Sequence, residues 1–299
     1  MSRATCMTTE QIAGRLTAWG ERFEAVLVDA LRTNEDVPSP LAEAVRYATL
    51  GGGKRVRPFV LSRVCELCGG SEREAAPAAV AIECVHAFSL IHDDLPAMDD
   101  DDFRRGRPSC HKAFSEAVAI LAGDALFARA FELLADGFRD PQQSTDAVAE
   151  LARACGWSGI IGGQTLDILN EPGTPSLEQV TRIHLLKTAR LFECAARLGA
   201  ICARADEAQT RAAVTFGRQL GLAFQIADDL LDQAGAPNGV APGKGDPADQ
   251  PTYPAAIGVE ASRRAAEEAV AQAVAALDIF GPPADDLRAL ARFVIEREL

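Results

Sequence analysis

Apolar positions recur at three- and four-residue spacing along most of the chain, the mark of helices that bury one face. An amphipathic pattern over residues 8–34 predicts a first helix, with Thr8 or Thr9 as N-cap and Glu10 in its first turn. Pro38 and Pro40 mark a break. A helix follows from about residue 41 to 50, where Gly51-Gly52-Gly53 stops it. Another begins near Pro77 and carries Val80, Ile82, Val85, Phe88, Leu90 and Ile91. Residues 113–134 read as a helix. Asp140-Pro141 opens a loop before the next one, over 144–155. Pro172-Gly173-Thr174-Pro175-Ser176 is a loop, and Ser176 with Gln179 resembles a capping box before the helix of Lys187-Thr188. Residues 216–232 form one helix stopped near Gly235, and 259–299 form terminal helices broken at Gly281-Pro282-Pro283. The expectation is an all-α fold, a single domain over 1–299.

Composition agrees. Hydrophobic residues make up 48% and aromatics only 6%, a balance that suits packed helices better than sheets. The net charge of −13 argues against a nucleic-acid partner, which would want a basic footprint. No run of about 18 apolar residues predicts a membrane span, and Met1-Ser2-Arg3-Ala4-Thr5-Cys6 lacks the apolar core of a secretory signal. The eight cysteines are dispersed in apolar helical text. Cys65-Glu66-Leu67-Cys68 is a lone CxxC without a second pair, so reduced, buried thiols in a cytoplasmic protein are expected.

Two stretches break the apolar pattern with acid. In Asp93-Asp94-Leu95-Pro96-Ala97-Met98-Asp99-Asp100-Asp101-Asp102, six aspartates fall within ten residues. Pro96 cannot continue the preceding helix, so Asp93 and Asp94 occupy its last turn, the end that favours cations. Two unit charges 4 Å apart repel by about 4 kcal/mol at an effective dielectric of 20. The arrangement recurs at Asp228, Asp229 and Asp232, again at a helix end, with Asp228 and Asp232 one turn apart on one face. Either patch alone reads as a solvated acidic face. Two of them, one followed at once by Arg104-Arg105, point to Mg²⁺, which takes one or two carboxylates and shares its shell with substrate phosphates.

Basic residues gather at Lys54-Arg55-Val56-Arg57-Pro58, after the glycine run. The GxxxxGK[ST] spacing of a phosphate loop is absent. Three cations in four residues either converge on a diphosphate or form a solvated turn. His86 lies two helical turns before Asp93, on nearly the same face. A lone histidine on an apolar helix is ordinarily a core residue.

The motifs DDxxxxD (Asp93 to Asp99), DDxxRRGxP (Asp100 to Pro108) and QxxDDxxD (Gln225 to Asp232) resemble those of the short-chain trans-polyprenyl diphosphate synthases, most nearly the bacterial farnesyl diphosphate synthases. The likeness runs from Gly51 to the C-terminus. It implies ten or more helices around a deep cavity whose mouth carries both acidic helix ends. By the same resemblance, Asp93, Asp94, Asp99, Asp228, Asp229 and Asp232 hold a cluster of Mg²⁺ ions, three in number. Isopentenyl diphosphate is held by Lys54, Arg57, His86 and Arg105. The allylic diphosphate meets Arg104, Lys187, Thr188, Gln225 and Lys244. Asp93, Asp99, Asp228, Arg104 and Lys187 carry catalysis, and Gln164 with Asp167 borders the cavity. The family is usually homodimeric.

The implied reaction is electrophilic prenyl transfer. Phe88 and Ser89, five and four residues before Asp93, lie where the growing tail must pass. An aromatic there, with the two-residue insertion that Pro96-Ala97 resembles, implies farnesyl diphosphate as product; geranyl and geranylgeranyl diphosphate are the alternatives. Residues 235–254 read as a lid. Gln250, ahead of Thr252-Tyr253-Pro254, stands where the family usually has a lysine. That departure is the one feature favouring a non-catalytic subunit of a partner synthase. A class I terpene cyclase would not need Lys54, Arg57 and Arg105, and a di-iron bundle would show two ExxH motifs, whereas only Glu83 to His86 has that spacing.

Overall fold

Thr8 caps the first helix with its side chain, and Gln11 completes the reciprocal capping box. The helix it opens, Thr9–Ala30 (α1), buries Ile12, Leu16, Trp19, Phe23 and Leu27 along one face. A computed structural model describes residues 7–50, 52–170, 173–234 and 251–296. The further helices are Ser39–Thr49 (α2), Val56–Leu67 (α3), Glu72–Asp93 (α4), Cys110–Ala113 (α5), Glu116–Asp136 (α6), Pro141–Cys155 (α7), Ile160–Ile168 (α8), Leu177–His184 (α9) and Arg190–Cys202 (α10). They continue with Glu207–Gln233 (α11), Tyr253–Ile257 (α12), Val259–Ala276 (α13) and Asp285–Glu296 (α14). A two-residue antiparallel pair, Phe103–Arg104 (β1) with Arg107–Pro108 (β2), is the only sheet among the described residues.

Four helix starts come earlier than the sequence predicts, and three of them involve proline. Pro40 sits in the first turn of α2, and Asp140 caps α7 with Pro141 as its first residue rather than opening a loop. Proline suits a first turn because the N–H it lacks has no partner there anyway. In α4, Ser71 accepts from the Glu74 N–H and starts the helix before Pro77. α11 also begins earlier than residue 216, at an Asp206–Gln209 capping box.

α4 runs through the centre, packed against α3, α6 and α10. Ala75, Ala78, Ala79, Val80, Ala81 and Ile82 are all buried, so burial encircles the helix. By length and composition α4 is apolar enough to cross a membrane, yet most of its apolar stretch is buried in the protein. Its apolar faces are covered by those helices. α11 lies against α10 at backbone distance. A Cβ on Gly221 would fall 2.5 Å from the Ala189 Cα, and one on Gly217 would fall 2.6 Å from the Phe192 carbonyl oxygen. Only glycine permits this approach, which brings the second acidic helix beside the Lys187-Thr188 segment.

That segment is a π-turn, Leu185–Ala189, between α9 and α10. Such single turns concentrate at functional sites.

Candidate active site

α4 ends on the acidic run as the sequence predicts. Asp93 is its last residue and Asp94 its C-cap. The chain then doubles back, and the Asp99 N–H donates to the Asp93 carbonyl oxygen at 2.8 Å. This closure sets two carboxylates side by side. Burial first, then the charge of Asp99, pushes the Asp93 carboxyl up to about 7, against the pull of Lys187.

The six aspartates divide into separate groups. Asp94 is buried, and both its oxygens accept from Arg104 Nε, at 2.7 and 2.9 Å. Arg104 Nη2 lies 2.6 Å from Asp94 and 3.6 Å from Asp101. Asp100 and Asp102 gather with His111, ligand atoms within 4.8 Å of one another, while Asp102 pairs with Lys112 at 2.8 Å. Asp93 and Asp99 are thus set apart from the rest of the run.

Lys187 Nζ donates to Asp167 at 2.5 Å. Burial works to lower its pKa, but Asp167, Asp93 and Asp99 together raise it, so it is an ammonium facing the first acidic helix end. Gln164 lies one turn before Asp167 on α8. Both atoms of its buried amide lack a hydrogen-bond partner. Thr188 Oγ donates to Gln225 Oε1 at 2.7 Å, which ties the π-turn to α11.

The basic run also divides. Arg55 is buried and pairs with Glu83, with Glu24 at 2.9 Å, and with the Thr49 carbonyl oxygen at 2.7 Å. It anchors the turn. Arg57 lies 3.4 Å from His86 Nε2, with its guanidinium 4.5 Å from the Phe192 ring centroid. Burial lowers Arg57 to about 10, with Glu83 and Asp228 opposing. Burial, and then Arg57, hold His86 well below its ordinary value, so its ring is neutral at pH 7. Arg105 donates to the Gly52 carbonyl oxygen at 2.8 Å. Gly53 has φ +99°, and a Cβ there would lie 2.8 Å from the Arg105 guanidinium. Lys54 is exposed at the same turn.

Lys187 thus lies within the electrostatic reach of Asp93 and Asp99, and Arg57, beside His86, within that of Asp228. Asp232 is exposed on the last turn of α11. Asp229 is buried and meets protein donors on both oxygens: His184 Nε2 at 2.7 Å, the Tyr253 N–H at 2.9 Å and Gln225 Nε2 at 3.2 Å. Phe88 lies tilted against Phe127 and edge-on to His92, both with ring centroids 4.8 Å away, and Phe127 meets Phe131 edge-on at 5.1 Å. Ser89 Oγ is turned back on the His86 carbonyl oxygen. Lys244 and Gln250 lie outside the described residues.

Sequence reasoning passed over His184. Its partner Asp229 is 45 residues away, beyond the reach of local spacing. It also gave His92 no role, whereas His92 Nε2 lies 3.0 Å from the Ile120 carbonyl oxygen, where Gly123 leaves room for the ring.

An oxygen-only donor set of Asp93, Asp99 and Asp228 suits a hard divalent cation. The unpartnered buried amide of Gln164 supplies another neutral oxygen or a donor for a bound water. The residues thus fit Mg²⁺.

Comparison with known proteins follows the same lines. A family model described as Polyprenyl synthetase matches residues 38–277. The chain is 45% identical over 266 residues to geranylgeranyl pyrophosphate synthase 9, chloroplastic, of Arabidopsis thaliana, covering 86% of this chain and 74% of that one. An FPP/GFPP synthase from Zymomonas mobilis superposes with TM-score 0.85 at 38% identity, covering 96% of this chain and all of its own. A geranyltransferase from Legionella pneumophila superposes with TM-score 0.85 at 32% identity, covering 97% and 99%.

Proposed function

The chain belongs to the polyprenyl synthetase family, and from that premise we propose that it condenses isopentenyl diphosphate with dimethylallyl and geranyl diphosphates to give mainly farnesyl diphosphate. It is a trans-prenyltransferase like its relatives. One observation carries the reading of its site: Lys187 feels Asp93 and Asp99 at one acidic helix end, while Arg57, beside His86, feels Asp228 at the other. An acidic site flanked by separate cations suits two diphosphates bound at once.

Mg²⁺, when bound, supplies the charge that draws diphosphate from the allylic carbon. Asp93, Asp99, Asp228 and Asp232 would hold it. Lys187 neutralises the leaving group. Arg104 has given Nε and Nη2 to Asp94 and Asp101, so Nη1 is its amino group for a phosphate. Lys54, Arg57, His86 and Arg105 hold isopentenyl diphosphate. Neutral His86 beside Arg57 donates or accepts a hydrogen bond without adding charge. The allylic C–O bond breaks, the double bond of isopentenyl diphosphate attacks the allylic carbon, and the released diphosphate takes the proton lost from the new product. No protein base is needed.

The farnesyl assignment is supported by the row Phe88, Phe127 and Phe131, which presents contacting rings from α4 and α6 on the route of the tail. The names of plant relatives favour a second reading, geranylgeranyl diphosphate. Incubation with Mg²⁺, labelled isopentenyl diphosphate and each allylic starter separately tests the function, and failure to elongate any starter rules it out. In the same assay Phe88→Ala is expected to shift the main product to a longer chain. Unchanged length in that variant would remove Phe88 as the stop.

The family's homodimer also finds support here. Ile120 and Leu121 on α6 are 42% and 57% exposed, an apolar surface for a second copy. Light scattering on the purified protein gives the mass.

A further inference from the structure

Asp229 belongs to the second acidic motif, yet its surroundings differ from those of Asp228. It is 5% exposed, and three protein donors meet its two oxygens. Each donor comes from a different element. His184 ends α9 and leads into the π-turn, the Tyr253 N–H begins α12, and Gln225 lies one turn back on α11 itself. Tyr253 Oη is held in turn by Thr181 Oγ at 2.8 Å.

The hydrogen-bond inventory gives this cluster a direction. An ionised carboxylate only accepts. Gln225 must therefore present its NH₂ to Asp229, which turns its carbonyl oxygen to Thr188. A carbonyl oxygen also only accepts, so the single hydroxyl proton of Thr188 must point at Gln225. The lone pairs of Thr188 Oγ are left facing away from Gln225. Thr188 adjoins Lys187, which faces Asp93 and Asp99. Invert the chain and Thr188 would offer a proton where it now offers an oxygen.

We infer that Asp229 is a positioning residue rather than a metal ligand: its carboxylate fixes the polarity of the Asp229–Gln225–Thr188 chain, so that Thr188 presents lone pairs to positive charge developing on the allylic carbon. The inference rests on the reading of the site as a prenyl-transfer centre. It divides the second motif by task. Asp228 and Asp232 serve the cation, and Asp229 serves the dipoles beside it. Asp229 also ties three elements together, since His184 and Tyr253 bring α9 and α12 to the same carboxylate.

The test uses Asp229→Asn, Gln225→Glu and the double variant in the full-length protein. In Asp229→Asn the amide can donate or accept, so the direction is lost. The expected result is a kcat lower by about 10- to 100-fold, on the scale of a lost preorganised dipole. KM for isopentenyl diphosphate is expected to be unchanged. Mn²⁺ affinity in the presence of inorganic diphosphate, read by electron paramagnetic resonance, is expected to match wild type. Gln225→Glu places two carboxylates against each other and is expected to be slow. The double variant swaps the charge: Glu at 225 accepts from Thr188 and from the new asparagine, whose carbonyl accepts from Tyr253. It is expected to turn over faster than either single variant. Should Asp229→Asn fail to fold, the comparison of Gln225→Glu with the double variant carries the test.

A Mn²⁺ dissociation constant raised about 10-fold or more in Asp229→Asn, the scale on which metal sites respond to lost supporting groups, would overturn the inference. So would an unchanged kcat, or a double variant no faster than Gln225→Glu. A wild-type protein that elongates no starter would fail the parent reading and this one together. An active wild type with weakened Mn²⁺ binding in Asp229→Asn fails this one alone.

Discussion

Asp93→Ala is expected to lower turnover by at least ~10²–10³, the loss seen when one preorganised electrostatic group is removed from an active site. Asp93 is singled out within its run by geometry. Asp94 is committed to Arg104, whereas Asp93 shares a loop closure with Asp99 and faces Lys187. Near-wild-type turnover in Asp93→Ala would remove the first acidic helix end from the mechanism. Circular dichroism should show unchanged helix content, because Asp93 terminates α4 rather than packing its core.

A pH dependence accompanies this prediction. Without metal, burial pushes the Asp93 carboxyl up to about 7, so below that pH a cation must displace a proton. Apparent Mg²⁺ affinity should therefore fall as pH drops from 8 to 6. The sign for stability is opposite to that of a salt-bridged carboxylate. With its pKa raised, the folded metal-free protein binds a proton that the unfolded chain has lost, so this group's contribution weakens between its ordinary range and about 7. Added Mg²⁺ should raise Tm more at pH 8 than at pH 6. Equal shifts at the two pH values would count against Asp93 as a ligand.

The second large effect is on folding. Arg55→Leu is expected to destabilise the protein by about 3–5 kcal/mol, because it leaves the charge of buried Glu83 without its partner. The Arg55 side chain is 2% exposed and that of Glu83 is 3%. Arg55 also caps the Thr49 carbonyl oxygen and holds Glu24. Urea denaturation measures the loss directly. Lys54→Ala, one residue away but exposed, should leave the urea midpoint where it is and raise KM for isopentenyl diphosphate instead. Pairing Arg55→Leu with Glu83→Leu should recover much of the stability, since a buried ion pair replaced as a whole is often neutral. An Arg55→Leu protein as stable as wild type would show that the pair is not an anchor.

Lys54, Arg55 and Arg57 also illustrate what the sequence makes legible. Three cations in four residues signal an anion site, but spacing alone cannot say which of them is buried. That depends on Glu83 and Glu24, 28 and 31 residues away. The same limit applies to the acidic run. Its chemistry is visible as composition at a helix end, while its division into Asp93 with Asp99, Asp94 with Arg104, and Asp100 with Asp102 and His111 depends on how the loop folds back. The helices themselves were readable from apolar periodicity, and Thr8 and Ser176 from their caps. Proline hides three of the starts: Pro40 and Pro141 serve first turns, and Pro77 lies inside α4, whose start is set by Ser71. The π-turn leaves no periodic signal, since one extra residue in a helix hardly disturbs an apolar stripe. Metal motifs carried by local spacing were thus recognisable, and the partners that aim them, such as His184 for Asp229, were not.

The close seating of α11 on α10 has a consequence for redesign. Gly217 and Gly221 let main chain meet main chain, so any added side chain there collides with backbone that has nowhere to move. Between α4 and α6, where Phe88 meets Phe127 and Phe127 meets Phe131, side chain joins side chain. One contact of the scaffold is therefore rigid to substitution and the other can be trimmed atom by atom. A library seeking new chain lengths should be written on α4 and α6, with α10 and α11 held constant.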